Sequence, residues 1–180
     1  KRFIGDKMCC LMCKMDGLTI LLTYEDGNLV QAETRGNGEV GEIVTHNAAV
    51  FENIPVHIDY PGHLEIEGEA IITYDDFKKI NDKISDEDKK YKNPRNLVSG
   101  SVRQLDNEIA SQRHIKFVAW KIPKGMDDKP TMYERFCEAY NLGFNIVPYI
   151  AVSENNDING SIDQLKKHAE ELGYPIDGMV

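Results

Sequence analysis

Residues 8 to 34 read Met8-Cys9-Cys10-Leu11-Met12-Cys13-Lys14-Met15-Asp16-Gly17-Leu18-Thr19-Ile20-Leu21-Leu22-Thr23-Tyr24-Glu25-Asp26-Gly27-Asn28-Leu29-Val30-Gln31-Ala32-Glu33-Thr34. The apolar run 8–13 reads as a buried strand. Leu18 to Tyr24 alternates as a second strand, and Leu29 to Thr34 returns as its partner. Glu25-Asp26-Gly27-Asn28 between them is a hairpin turn, because Asp-Gly tolerates positive φ. A lysine, Lys14, therefore sits between two apolar strands and is followed by Asp16 and Gly17. A lysine amine becomes a nucleophile when burial or neighbouring cations lower its pKa.

Further along, Glu39 to Ala49 is expected to form a short helix, and His63 to Ile72 a strand. Thr73 caps a helix running to about Ile84, with Asp75 and Asp76 in its first turn. Ser85 to Lys92 reads as a solvated, charged loop. Pro94 suits the first turn of a helix extending to Leu105. Ile115 to Ile122 is a strand carrying Trp120, and Thr131 to Leu142 is a helix stopped by Gly143. Asn145 to Ala151 is a strand, and Ser161 caps a last helix to Leu172. Hairpins mixed with intervening helices predict an α+β fold of antiparallel sheets with flanking helices.

The composition, 41% apolar and 28% charged over 180 residues, is that of a globular domain. No apolar run approaches a membrane span, so no membrane partner is expected. Among four cysteines, Cys9, Cys10 and Cys13 share one strand and Cys137 lies apart. Cys10 and Cys13 lack a second Cys or His pair, so reduced thiols are expected and no metal site is assigned to them. A net charge of −9 argues against a general nucleic-acid clamp, which needs a basic face.

Five linked segments extend the Lys14-Met15-Asp16-Gly17 pattern in a fixed order. They are Thr34-Arg35-Gly36-Asn37-Gly38 with Gly41-Glu42 and Thr45-His46-Asn47; Glu65-Ile66-Glu67-Gly68-Glu69; Lys92-Asn93-Pro94-Arg95-Asn96; Ser99 through Asp106; and Pro175-Ile176-Asp177-Gly178-Met179-Val180. Together they resemble the adenylation (nucleotidyltransferase) domain of bacterial NAD-dependent DNA ligases, from about Lys7 to Val180. The Asn-Pro-Arg-Asn to Arg-Gln-Leu-Asp stretch is the most specific part. The resemblance implies the DNA ligase and mRNA capping enzyme nucleotidyltransferase fold, which is ATP-grasp-like. It implies that residues 1–180 are one adenylation domain, truncated at both ends. It also implies a monomer at work in the bacterial cytosol.

By that resemblance Lys14 attacks the α-phosphorus of NAD, expels nicotinamide mononucleotide and carries AMP to the 5′-phosphate of nicked double-stranded DNA. Mg2+ is expected in the full enzyme. Asp16 either orients the amine, helps bind a metal, or is a turn aspartate bonding its own backbone. Arg35 is implied to contact the nucleotide, and Glu69 the adenosine ribose. Glu65, Glu67 and Glu69 alternate along their strand and would share one wet, electronegative face. Trp120 either stacks on adenine or packs in the core. Met12 stands where an acidic residue is expected, so either backbone groups of Met12 and Cys13 do more of the base reading or the base is held less tightly. Glu67 replaces an arginine and Ile43 an aspartate, and only Arg35 and Glu42 of that loop are given polar roles.

Arg95 and Arg103 lie eight apart on one expected helix, within about 80° of each other, so both could face one anion. The resemblance makes them contacts to the AMP phosphate and the nick 5′-phosphate. The lysine that follows Asp177-Gly178-Met179-Val180 in the family would come two residues later. The upstream domain that grips the nicotinamide half belongs to the full enzyme. Residues 1–180 alone are therefore expected not to seal nicks. An ATP- or GTP-dependent ligase or capping enzyme, and a non-catalytic adenosine-nucleotide-binding module, remain the alternatives.

Overall fold

The computed structural model describes residues 8–36, 41–153 and 157–180. The first three strands are β1 (Cys9–Met15), β2 (Leu18–Glu25) and β3 (Asn28–Thr34). Lys14 and Met15 belong to β1 itself, so only Asp16 and Gly17 make the turn into β2. On β2, alternate residues Ile20, Leu22 and Tyr24 are each 0% exposed. Burying each is worth roughly 1.5–3 kcal/mol. The Tyr24 hydroxyl donates to the Pro55 carbonyl at 2.7 Å, and burial raises its pKa. Asp26 and Gly27 both have positive φ, 45° and 78°, as a two-residue hairpin of this hand requires.

Next come α1 (Thr45–Ala48), β4 (His63–Ile71), α2 (Tyr74–Asp82) and α3 (Pro94–Val102). The expected helix 39–49 is reduced to the single turn of α1, and residues 37–40 lie outside the described residues. Thr73 caps α2 as anticipated, its hydroxyl accepting from the Asp76 N–H at 3.2 Å. α3 begins at Pro94, with Asn93 as N-cap, but stops at Val102 rather than Leu105. Asp106 then caps a separate short helix, α4 (Asn107–Ser111), by accepting from the Glu108 N–H. Arg103 is the C-cap of α3, so Arg95 and Arg103 stand at the two ends of that one helix.

The remaining elements are β5 (Lys116–Lys124), α5 (Met132–Asn141), β6 (Tyr149–Val152), α6 (Ile158–Glu171) and β7 (Ile176–Met179). Thr131 and Glu134 form a reciprocal capping box on α5. Asp157 caps α6 four residues before Ser161, which instead donates to the Asp157 carbonyl within the first turn. β6 is shorter than the expected strand 145–151 because Pro148 has no N–H. The stretch before it meets β5 in a parallel bridge between Ala119 and Ile146. β7 was not anticipated as a strand.

Two antiparallel sheets result, with orders β6-β1-β7 and β3-β2-β4-β5. In the second sheet Thr19 lies opposite Glu69 and Leu18 opposite Ala70. Lys14 lies opposite Gly178 in the first. One hydrophobic core runs through both sheets and the helices that cover them.

Candidate active site

A cavity of about 440 Å³ opens between the two sheets. The first sheet lends it Met12, Cys13, Lys14 and Met15 of β1; the second lends Thr19, Glu69, Trp120 and Lys121. Arg35, Arg95, Met132 and Val180 complete the lining. The alternation of β2, β4 and β5 turns Thr19, Glu69 and Lys121 to one face, and the apolar residues between them turn to the core.

The Lys14 ammonium donates to both Asp177 oxygens, at 2.6 and 2.7 Å. β1 and β7 place this pair together, since Lys14 and Gly178 are cross-strand partners. Both side chains remain about half exposed, so the pair orients the amine more than it stabilises the fold. Asp16 does not line the cavity. Its carboxylate accepts from Arg95 Nη1 at 3.0 Å, tying the turn after Lys14 to the start of α3.

Glu69 is the buried acid of the site, 7% exposed. Burial pushes its carboxyl up to about 7; the Thr19 hydroxyl, Arg95, the Trp120 indole and the Gly17 amide pull the other way. Thr19 Oγ1 donates to Glu69 Oε2 at 3.1 Å. Glu65 and Glu67 share the strand face but border an adjoining cavity of about 340 Å³ with Glu33, Arg35 and Lys121. Lys124 pairs with Glu65 at 2.8 Å and Lys121 with Glu67 at 3.8 Å. The face is thus less electronegative than three unpaired glutamates, and Glu69 is dry rather than wet.

Trp120 both packs against the core and lines the cavity. Main-chain groups of Met12 and Cys13 are engaged in pairing: Met12 N–H donates to the Val180 carbonyl and Met12 O accepts from Val180 N–H, each at 2.8 Å. The Cys13 N–H donates to the Pro148 carbonyl at 3.0 Å. Base reading through these groups would have to share them with the sheet. Arg103 stands apart from the cavity, at the far end of α3, where it forms an ion pair with Glu42.

The residues that sequence reasoning did not single out are Thr19, Lys121, Met132 and Asp177. Thr19 and Lys121 had a signal, since both fall on the face of Glu69 once strand pairing is known. Asp177 lay within a quoted motif but had no partner until β7 paired with β1. The four cysteines are free, and among the described residues no group of three His, Cys, Asp or Glu side chains could hold a metal ion. Among them, no helix is long and apolar enough to cross a membrane.

This arrangement places a lysine amine, three further cations, a buried acid and an aromatic plane around one cleft. The family model of the NAD-dependent DNA ligase adenylation domain matches residues 1–180. The chain belongs to that family. It is 49% identical to a DNA ligase of Lachnoclostridium phytofermentans over 99% of this chain and 27% of that protein. It is 45% identical to a DNA ligase of Ruminiclostridium cellulolyticum over the whole chain and 28% of that protein. The chain thus spans about a quarter of the length of these relatives. A solved Lig E DNA ligase superposes with a TM-score of 0.54 at 15% identity, covering 99% of this chain and 56% of that one. At that identity the likeness speaks for the fold, which this adenylation domain shares.

Proposed function

We propose that the domain transfers AMP from NAD to Lys14 and then to the 5′-phosphate of nicked double-stranded DNA. The observation that carries this reading is the convergence of Lys14, Arg35, Glu69, Arg95 and Trp120 on one cavity between the sheets. Its volume of about 440 Å³ is in the range of small-ligand sites. NAD enters as a substrate, since its AMP is consumed. Trp120 offers a face for adenine, and Glu69 acceptors for the ribose hydroxyls. Arg35, Arg95 and Lys121 would surround the phosphates.

In the first step the Lys14 Nζ–P bond forms at the α-phosphorus, and the bond from that phosphorus to the bridging oxygen breaks. Nicotinamide mononucleotide leaves with the electron pair, and the amine gives up a proton. Lys14 must part from Asp177 to present its lone pair, so Asp177 sets where the amine waits. In the second step the nick 5′-phosphate takes the AMP and frees Lys14. Attack of the 3′-hydroxyl then expels AMP and closes the phosphodiester bond. Mg2+ ordinarily keeps several waters and adds one or two carboxylates to substrate phosphates. Glu69 is the one carboxylate side chain among the described residues that line the cavity, so such an ion would be carried by the nucleotide phosphates and water and would neutralise phosphate charge. Working as a monomer in the bacterial cytosol, with nicked DNA as partner, completes the reading.

Intact mass of a ligase carrying this domain, after incubation with NAD, ATP or GTP in turn, tests it. An AMP adduct on Lys14 from NAD alone is expected. An adduct from ATP or GTP instead would favour the other covalent nucleotidyltransferases. Adenosine binding without any adduct would leave a nucleotide-binding module.

A further inference from the structure

Sequence reasoning gave the loop before α1 no polar role beyond Arg35 and Glu42, yet its continuation holds the end of α3. A helix terminus leaves carbonyls without intrahelical partners. Two carbonyls at the exit of α3, those of Val102 and Gln104, accept from one side-chain amide. Asn47 Nδ2 lies 2.7 Å from each. Asn47 comes from α1 and is 0% exposed. His46 donates from Nε2 to the same Gln104 carbonyl at 3.1 Å. Glu42, just ahead of α1, holds the guanidinium of Arg103, and Arg103 Nη1 reaches the Ser99 carbonyl at 3.4 Å. Residues 42 to 47 therefore grip the turn 102–104 by its backbone and by its one cation.

The other half of the Asn47 amide is revealing. Its Oδ1 is buried and has no hydrogen-bond partner among the described residues. Burying an unpartnered acceptor is unfavourable, so the polar demand at this position lies in the two donors. Those donors fix the carbonyls of the two residues that flank Arg103, Val102 and Gln104.

We propose that Asn47 is a positioning residue for Arg103 in the handling of the nick. This rests on the reading of Arg103 as a contact to the nick 5′-phosphate. The Arg103–Glu42 pair is about half exposed and cheap to break. With the backbone pinned by Asn47, passing the guanidinium from Glu42 to a phosphate is a side-chain rotation. Without Asn47 it becomes a rearrangement of the turn, and the arginine reaches the phosphate in fewer encounters.

The experiment separates the steps in a ligase carrying this domain. Asn47→Leu keeps the volume and removes both donors; Asn47→Asp keeps the shape and turns an acceptor on the two carbonyls. Sealing of a pre-adenylated nick is expected to fall about tenfold or more in both. AMP-adduct formation from NAD is expected to stay within about twofold, and Arg103→Ala to cost sealing a similar factor. Adding Asn47→Leu to Arg103→Ala should cost less than about twofold more, because the two act through one group. Equal loss of adduct formation and sealing in both Asn47 variants would make the role general folding and overturn the proposal. So would full sealing by the Asn47 variants, or independent multiplication of the losses in the double variant. If Arg103→Ala itself seals normally, the reading of Arg103 fails, and the inference falls with it.

Discussion

Lys14 carries the proposed chemistry, and its replacement separates charge from nucleophilicity. Lys14→Ala is expected to abolish the AMP adduct in a ligase carrying this domain. Lys14→Arg should not restore it, since a guanidinium stays protonated and attacks poorly. Mass spectrometry reads both outcomes, and adduct at the unsubstituted level in either variant would remove Lys14 from the role. Glu69 makes a second prediction through its burial. Its folded carboxyl titrates near 7 instead of its ordinary 4.5. Between those values the folded protein binds this proton more tightly than the unfolded chain. Its contribution to stability is therefore whole below about pH 4.5 and is lost as the pH rises through about 7. Glu69→Gln cannot titrate. The stability of this variant relative to the unsubstituted chain should rise by roughly 2–3 kcal/mol from pH 4.5 to pH 8. Urea unfolding at both pH values measures it, and a pH-independent difference would show that Glu69 titrates in its ordinary range.

At the scale of elements, Gly17 shows why the motif has no side chain after Asp16. A Cβ there would lie 2.1 Å from the Ala70 carbonyl oxygen and 2.9 Å from Glu69 Cγ. The first of these is backbone of the neighbouring strand and cannot swing aside. Gly17→Ala must push β4 from β2 where Glu69 enters the cavity. A loss of about 1–3 kcal/mol in urea unfolding is expected, together with weaker AMP binding by calorimetry. Unchanged stability and binding would mean that the turn absorbs the methyl group elsewhere. The hairpin around Asp26-Gly27, the Thr73 and Thr131 caps and the faces of β2 and β4 were legible because local rules govern them. Boundaries set by competition were not. Asp106 and Asp157 outcompete their neighbours as caps, and that shortens α3 and lengthens α6. β7 eluded the pattern because a short Ile-Asp-Gly-Met run becomes a strand only through β1. Of the site residues named from sequence, Met12, Cys13, Lys14, Arg35, Glu69, Arg95 and Trp120 line the cavity and Asp16 and Arg103 lie outside it, while Asp177, Thr19 and Asn47 gained partners only through long-range pairing.

Charge decides what the whole molecule can do to DNA. It carries 30 acidic and 21 basic side chains, for a net charge of −9. Many of the cations are already paired, as with Lys79, Lys89, Lys90 and Lys124. The nucleotide cavity concentrates Lys14, Arg35, Arg95 and Lys121 in one cleft, which suits a compact polyphosphate better than an extended duplex. Along the route from that cleft to the outer end of α3, Arg95 and Arg103 are the cations proposed to meet phosphate. Two phosphate contacts release few counterions, so the logarithm of affinity for nicked DNA should fall with the logarithm of salt at a slope of about −2. Fluorescence anisotropy of a labelled nicked duplex, with the 180-residue chain titrated at several KCl concentrations, measures that slope. Arg103→Ala should bring it to about −1, because one contact is lost. A slope steeper than about −5 in the unsubstituted chain would reveal a phosphate-binding face that these two arginines do not account for.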